Sequence, residues 1–116
     1  MDFSKPLTVT ISFNSPHAVS YRFWYKKPGD AKYTIFATGT DNEYSNSSIH
    51  THVVGPLPSG SELVYLVWFS GNEYTAYDME LALSQEGVLL PGYSFSHRNT
   101  TGSDGFAQEK HTITLV

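Results

Sequence analysis

Residues 19–38 read VSYRFWYKKPGDAKYTIFAT and alternate between apolar and polar side chains on both sides of a Pro-Gly pair. In the first run every second residue from Val19 to Tyr25 is apolar, and in the second run the same holds from Tyr33 to Ala37. A period of two is typical of strands with one buried face. Proline presets φ for a turn and glycine accepts a positive φ, so this stretch predicts a β-hairpin.

The length of the hairpin loop determines which side chains share a face of the sheet. A two-residue loop would place Arg22 opposite Ile35, which would put a cation on the apolar face. A three-residue loop, residues 28–30, instead places the core-type side chains together and predicts the pairs Tyr25–Tyr33, Phe23–Ile35 and Tyr21–Ala37. The opposite face then has Arg22 beside Phe36, Trp24 beside Thr34 and Lys26 beside Lys32, with Trp24 and Phe36 within about 7–8 Å of each other.

The rest of the chain shows the same period of two, interrupted by turn residues. Residues 7–13 and 111–115 alternate, and residues 63–69 are apolar on both faces, which predicts a central strand. The sequence therefore predicts an all-β fold: an antiparallel β-sandwich of immunoglobulin or fibronectin type III form, with seven or eight strands. A length of 116 residues predicts one domain spanning residues 1–116.

Composition argues against several classes of partner. The net charge of −4 disfavours nucleic-acid binding, and no apolar run is long enough for membrane insertion. The first residues, MDFSKP, lack a signal peptide, which predicts a cytoplasmic protein or one secreted by a non-classical route. With no cysteine, no phosphate-binding glycine loop and no nucleophile motif, we expect no cofactor and no enzymatic activity.

Charge is divided unevenly along the chain. Residues 1–38 contain five cations and two acids, a net charge of +3, whereas residues 39–116 contain two cations and nine acids, a net charge of −7. A basic and an acidic half can attract one another between copies of a chain. The pattern favours self-association, unless the two sheets intermix these charges.

The order of elements from residue 18 resembles a fibronectin type III domain. The resemblance rests on a strand, the turn KKPGD, a second strand, a polar loop, and the corner VVGPLPSGSE before LVYLV, covering residues 18–84. The overall length, the FSGN tip at residues 69–72 and the ending GFA … TITLV also resemble the fungal immunomodulatory proteins, although the amphipathic N-terminal helix of that family is missing. This resemblance implies a non-covalent oligomer that recognises glycans.

Aromatic rings among cations on a polar strand face suggest a ligand platform. Sugars lay their apolar C–H face on an aromatic ring, while side chains from loops bind their hydroxyl groups. Packing under a neighbouring strand, or a protein–protein interface, would also explain exposed-type aromatics. The predicted ligand-binding residues are Arg22, Trp24, Lys26, Lys32, Thr34 and Phe36, with Asn99 and Asp104 from the loop 97–104 and further polar side chains from the loop 41–46.

His50 and His52 form the sharpest alternative motif. Residues i and i+2 of a strand point the same way, so both imidazoles could reach one metal ion. With Glu62 and His97 they follow the order of ligands in a small metal-binding cupin, although Glu62 lies farther from His52 than in that family. The predicted function is therefore non-enzymatic, lectin-like binding of glycans or glycoproteins by a homo-oligomer; the alternatives are a cupin-type metal protein and a structural protein–protein interaction module.

Overall fold

The computed structural model describes residues 1–41 and 48–116. This part of the chain forms eight strands and no helix, as the alternating sequence pattern predicts. No helix that could cross a membrane occurs in these residues. The strands are β1 (Leu7–Asn14), β2 (Ala18–Lys26), β3 (Thr34–Asp41), β4 (Ser48–Val54), β5 (Glu62–Ser70), β6 (Ala76–Gln85), β7 (Val88–Thr100) and β8 (Phe106–Thr114).

The strands form two antiparallel sheets of four strands each. Sheet 1 has the order β4-β1-β6-β7, and sheet 2 has the order β3-β2-β5-β8. The hairpins β2–β3 and β6–β7 each stay within one sheet, whereas the other connections cross from one sheet to the other. The fold is therefore the predicted antiparallel β-sandwich, with β5 in the predicted central position between β2 and β8.

The core lies between the two sheets and is built from every second residue of the inner strands. Burial alternates with a period of two along β1, β2 and β6, because only one face of each strand meets the opposite sheet. On β5 the outward-facing Val64 is also buried, at 8% exposure, since strands cover it on both sides. The fully buried centre includes Ile11, Phe23, Val67, Phe69, Leu81 and Leu83.

The β2–β3 hairpin is present, but its predicted register is wrong. Phe23 pairs with Ala37 and Trp24 pairs with Ile35, with a β-bulge between the two pairs. Phe36 is the extra residue of the bulge. Its ring packs inward, 5.9 Å from Phe23 and 6.0 Å from Tyr25 between ring centroids, whereas Ile35 is 51% exposed.

Candidate functional site

The candidate site lies on the outer face, which we define as the face of sheet 2 turned away from sheet 1. Trp24 alternates with the buried Phe23 on β2, and its neighbours across the sheet are Val64 on β5 and Ile35 on β3. Its indole is half-buried and belongs to the outer face and not to the core. It lines an open groove of ≈ 270 Å³ with Tyr33, Val64, Lys110 and Thr112.

Cations surround the aromatic rings of this outer face. The ammonium of Lys26 lies 5.4 Å from the centre of the Tyr33 ring, and the guanidinium of Arg22 lies 5.6 Å from the centre of the Trp68 ring. Both separations are within the range of cation–π attraction. The Tyr33 hydroxyl donates to Glu62 Oε2 at 2.5 Å, and this hydrogen bond to a carboxylate raises the pKa of Tyr33.

Most of the residues predicted from β2 belong to the outer face. Arg22, Trp24 and Lys26 alternate along it with buried or inward-packed neighbours. Thr34 begins β3 opposite Tyr25, and Lys32 lies in the exposed turn before it.

Phe36 is the exception and corrects the prediction. It packs into the core side of the hairpin because the bulge moves Ile35, and not Phe36, onto the outer face. The predicted pairing of Trp24 with Phe36 on one face is therefore wrong.

Asn99 and Asp104 do not join the groove. Asn99 lies within β7 of sheet 1, and its Oδ1 accepts a hydrogen bond from the Thr100 amide at 2.9 Å. Asp104 Oδ1 accepts one from the Phe106 amide at 3.1 Å and so shapes the turn before β8. Phe106 stands level with the first residue of β2, and Trp24 is six residues farther along that strand, about 20 Å away. The other predicted binding loop, 41–46, lies outside the described residues from residue 42 onward.

The four residues of the cupin-type alternative are not brought together. His50 and His52 lie on β4, at one edge of sheet 1, and His97 lies on β7 at the opposite edge. Strands β1 and β6 separate them, a distance of roughly 14 Å. Glu62 lies on β5 of the other sheet and accepts the hydrogen bond from Tyr33.

Four of the five residues that line the groove were not among the predicted site residues. Val64 and Thr112 stand beside Trp24 only because β5 and β8 follow β2 in the sheet. Lys110 lies one pair farther along β8, opposite Leu66, and Tyr33 precedes β3. The apolar character of both faces of residues 63–69 was the signal for Val64, since it indicates a central strand whose outer face is partly covered.

The structure also joins residues that the sequence places far apart, at the side where β7 of sheet 1 meets β8 of sheet 2. We call His97, Glu109 and His111 the edge cluster. His111 Nε2 lies 2.9 Å from Glu109 Oε1, and His97 Nδ1 lies 3.9 Å from the same oxygen. The two imidazoles are stacked, with ring centroids 3.8 Å apart and planes 9° from parallel.

Two core tyrosines contact the edge cluster from inside the sandwich. The Tyr65 hydroxyl lies 2.6 Å from His97 Nε2, and the Tyr77 hydroxyl donates to Glu109 Oε2. Burial raises the pKa of both tyrosines, and the Glu109 charge adds to this effect. Both phenols are therefore neutral hydrogen-bonding groups at physiological pH.

The electrostatics of the edge cluster favour neutral imidazole beside charged carboxylate. Burial lowers the pKa of His97, and the neighbouring His111 lowers it further. Burial alone would raise the pKa of Glu109, but hydrogen bonds from Tyr77 and His111 and the nearby imidazoles outweigh it, so that the pKa is lowered. The carboxylate is therefore ionised at neutral pH.

The opposite side of the sandwich has a smaller polar cluster of similar construction. His52 Nε2 lies 2.6 Å from the Tyr21 hydroxyl, and His50 Nε2 lies 3.4 Å from Asp41 Oδ2. Tyr21 on sheet 2 thus bonds across to sheet 1, as Tyr65 does on the other side. Each open side of the sandwich is bridged by a hydrogen bond between a core tyrosine and a histidine.

Comparison of the chain with protein-family models, with curated proteins and with solved structures finds no match. The resemblance to fibronectin type III domains and to the fungal immunomodulatory proteins therefore stays a prediction. What this chain binds has to follow from the chemistry of its surfaces.

Proposed function

We propose that this protein is a non-enzymatic, lectin-like carbohydrate-binding protein whose site is the outer-face groove at Trp24. One observation carries the proposal: a half-buried indole lines an open groove together with a tyrosine ring and polar side chains. Carbohydrate sites combine an aromatic platform with a few hydrogen-bonding groups in this way.

The groove offers both kinds of contact that a sugar ring needs. The Trp24 indole and the Tyr33 ring provide apolar surface for the C–H face of a pyranose. Thr112 and Lys110 provide a hydroxyl group and an ammonium group at the same groove for the sugar hydroxyls. Val64 forms apolar lining beside them, which limits the polar groups that a ligand must desolvate.

The charge of the outer face favours acidic sugars. Arg22, Lys26 and Lys110 lie on it with Glu62, and Glu62 is already engaged by the Tyr33 hydroxyl. A carboxylate or sulfate group on a glycan would gain charge-assisted hydrogen bonds from these cations. We therefore expect sialylated or sulfated glycans to bind more tightly than neutral ones, and we expect binding to weaken as ionic strength rises.

The proposal includes assembly into a non-covalent homo-oligomer. Ile49 and Val53 are 68% and 65% exposed on β4, an edge strand of sheet 1. Exposed apolar residues on an edge strand are a common site of association between chains. Because single sugar sites are weak, several copies of the groove on one particle would raise the apparent affinity for a glycosylated surface.

The proposal is tested by glycan-array binding of the wild-type protein and of two variants. We expect acidic glycans to bind the wild type and Trp24→Ala to weaken this binding at least about tenfold, because the stacking surface is removed. Circular dichroism and thermal melting establish that the variant remains folded.

Tyr74→Ala is the matched control, because Tyr74 is an aromatic residue that is 70% exposed in the connection between β5 and β6, away from the groove. It should bind glycans as the wild type does. If no glycan binds, or if the two variants bind equally, the lectin-like function is wrong. Self-association that depends on Trp24, without glycan binding, would instead indicate the interaction module.

A further inference from the structure

The edge cluster contains three donor atoms that converge on one point. One ligand atom from each of His97, Glu109 and His111 lies within 4.8 Å of the other two. Ligands bound to one Zn²⁺ ion at about 2.0–2.2 Å stand about 3–4 Å apart. The distances from Glu109 Oε1 to the two imidazole nitrogens, 2.9 Å and 3.9 Å, fall at the two ends of that range.

The remaining polar atoms of His97 and Glu109 are already held by the core. The Tyr65 hydroxyl meets His97 Nε2, which leaves Nδ1 facing Glu109, and the Tyr77 hydroxyl occupies Glu109 Oε2, which leaves Oε1 facing the histidines. Outer partners of this kind fix the tautomer and the orientation of metal ligands. The two tyrosines therefore orient His97 Nδ1 and Glu109 Oε1 toward a common point.

Exposure is graded across the edge cluster. The side chains of His97 and Glu109 are 20% and 13% exposed, whereas that of His111 is 37% exposed. An ion at the common point would approach from the solvent side of His111 and would keep at least one coordination position for water. The donor set is two imidazoles and one carboxylate.

We propose that the edge cluster is a binding site for a divalent first-row transition-metal ion, with His97, Glu109 and His111 as its three protein ligands. Imidazole nitrogen selects Zn²⁺, Ni²⁺ or Co²⁺ over Mg²⁺ and Ca²⁺, which prefer oxygen ligands. The site is independent of the glycan groove, because it lies between the sheets at β7 and β8 and not on the outer face.

Binding requires a local rearrangement of one ring. A metal ion lies near the plane of each imidazole that binds it, and two parallel stacked rings cannot both meet this condition. His97 is fixed by Tyr65, so the more exposed His111 ring turns out of the stack. The hydrogen bond from His111 to Glu109 is replaced by the two bonds that these residues make to the ion.

The proposal is tested by titrating the full-length protein, freed of metal with a chelator, with Zn²⁺ in a calorimeter. We expect one ion per chain, and we expect no heat of binding from Mg²⁺. Substitution with Co²⁺ gives a visible absorption spectrum that reports imidazole ligation. Glu109→Gln preserves the shape of Glu109 and an acceptor for Tyr77 but removes the charge, and it should weaken Zn²⁺ binding at least about tenfold.

Two further variants make the test specific. His111→Gln should also lower the affinity at least about tenfold, and its half-exposed position makes loss of folding a smaller concern than at His97. His50→Gln, at the opposite side of the sandwich, is the matched control and should bind one Zn²⁺ ion as the wild type does. Absence of Zn²⁺ binding by the wild type, or loss of binding in His50→Gln with retention in folded His111→Gln, would overturn the proposal.

Discussion

Three histidines are partly or fully withdrawn from water, and each has a lowered pKa. His17 is 2% exposed and packs edge-on against Phe69 and Tyr77. Burial is the largest cause of the shift at His17, and also at His52 and His97, where a second histidine adds to it. The folded protein therefore holds these rings in the neutral form at a pH where the unfolded chain has begun to protonate them.

The stability of the protein should consequently fall as the solution becomes mildly acidic. A histidine whose folded pKa lies below 6.5 contributes stability that is complete above pH 6.5 and is lost as pH falls from there through the folded pKa. We expect the free energy of unfolding to be lower at about pH 5.5 than at about pH 7.5. Urea denaturation at the two pH values measures this difference.

His17→Phe isolates one of the three contributions, because phenylalanine keeps an aromatic ring against Phe69 and Tyr77 but does not titrate. The variant should show a smaller change in unfolding free energy between the same two pH values than the wild type. A wild-type protein that is equally stable at both pH values, or more stable at the lower one, would contradict the assigned burial of these rings.

At the scale of the element, the bulge in β3 determines what sheet 2 presents to solvent. Phe36 packs against Phe23 and Tyr25, while its neighbour Ile35 is 51% exposed. Phe36→Ala should lower the free energy of unfolding by about 2 kcal/mol, less than for a fully buried ring because Phe36 is only half-buried. Ile35→Ala, one residue away, should lower it by less than about 1 kcal/mol.

Chemical denaturation of the two variants compares these values directly. The predicted hairpin without a bulge would reverse their order, since it places Ile35 in the core opposite Phe23 and Phe36 on the outer face. A larger loss of stability in Ile35→Ala than in Phe36→Ala would therefore show that the bulged register is wrong.

The strands could be predicted from the sequence because one buried face imposes a period of two. Residues 63–69 also indicated their central position, since they are apolar on both faces. The bulge could not be predicted, because Ile35, Phe36 and Ala37 are three consecutive apolar residues and any of them can occupy an inward position. Packing against Phe23 and Tyr25 selects Phe36, and that choice depends on the assembled core.

The site could be predicted only where it lies on a single hairpin. Trp24 and its neighbouring cations follow from the alternation of β2, whereas Lys110 and Thr112 join the groove through pairing between strands distant in sequence. The edge cluster depends on still longer range, because His97 and His111 meet only where the sides of two sheets come together. Local periodicity contains no information about that contact.

At the scale of the whole molecule, the two sheets present chemically different outer surfaces. Sheet 1 presents the acids Asp78 and Glu80 beside Arg98, whose guanidinium lies 3.1 Å from the Asp78 carboxylate. Sheet 2 presents the aromatic rings with Arg22, Lys26 and Lys110. The basic strand β2 lies inside sheet 2, so the uneven charge of the sequence becomes a difference between the two faces of the sandwich.

The central claim is that a sugar stacks on the Trp24 indole, and nuclear magnetic resonance tests it most directly. The chain contains two tryptophans, Trp24 and Trp68, so its spectrum has two indole N–H signals. Trp68 lies four residues along β5 from Val64, the cross-strand neighbour of Trp24, about 13 Å away, and serves as an internal reference.

Titration with a sialylated trisaccharide should shift the Trp24 indole signal progressively to saturation and leave the Trp68 signal in place or shift it much less. A neutral hexose at the same concentrations should produce a smaller shift. If the trisaccharide leaves the Trp24 signal unmoved, or shifts only that of Trp68, the groove at Trp24 is not a carbohydrate site.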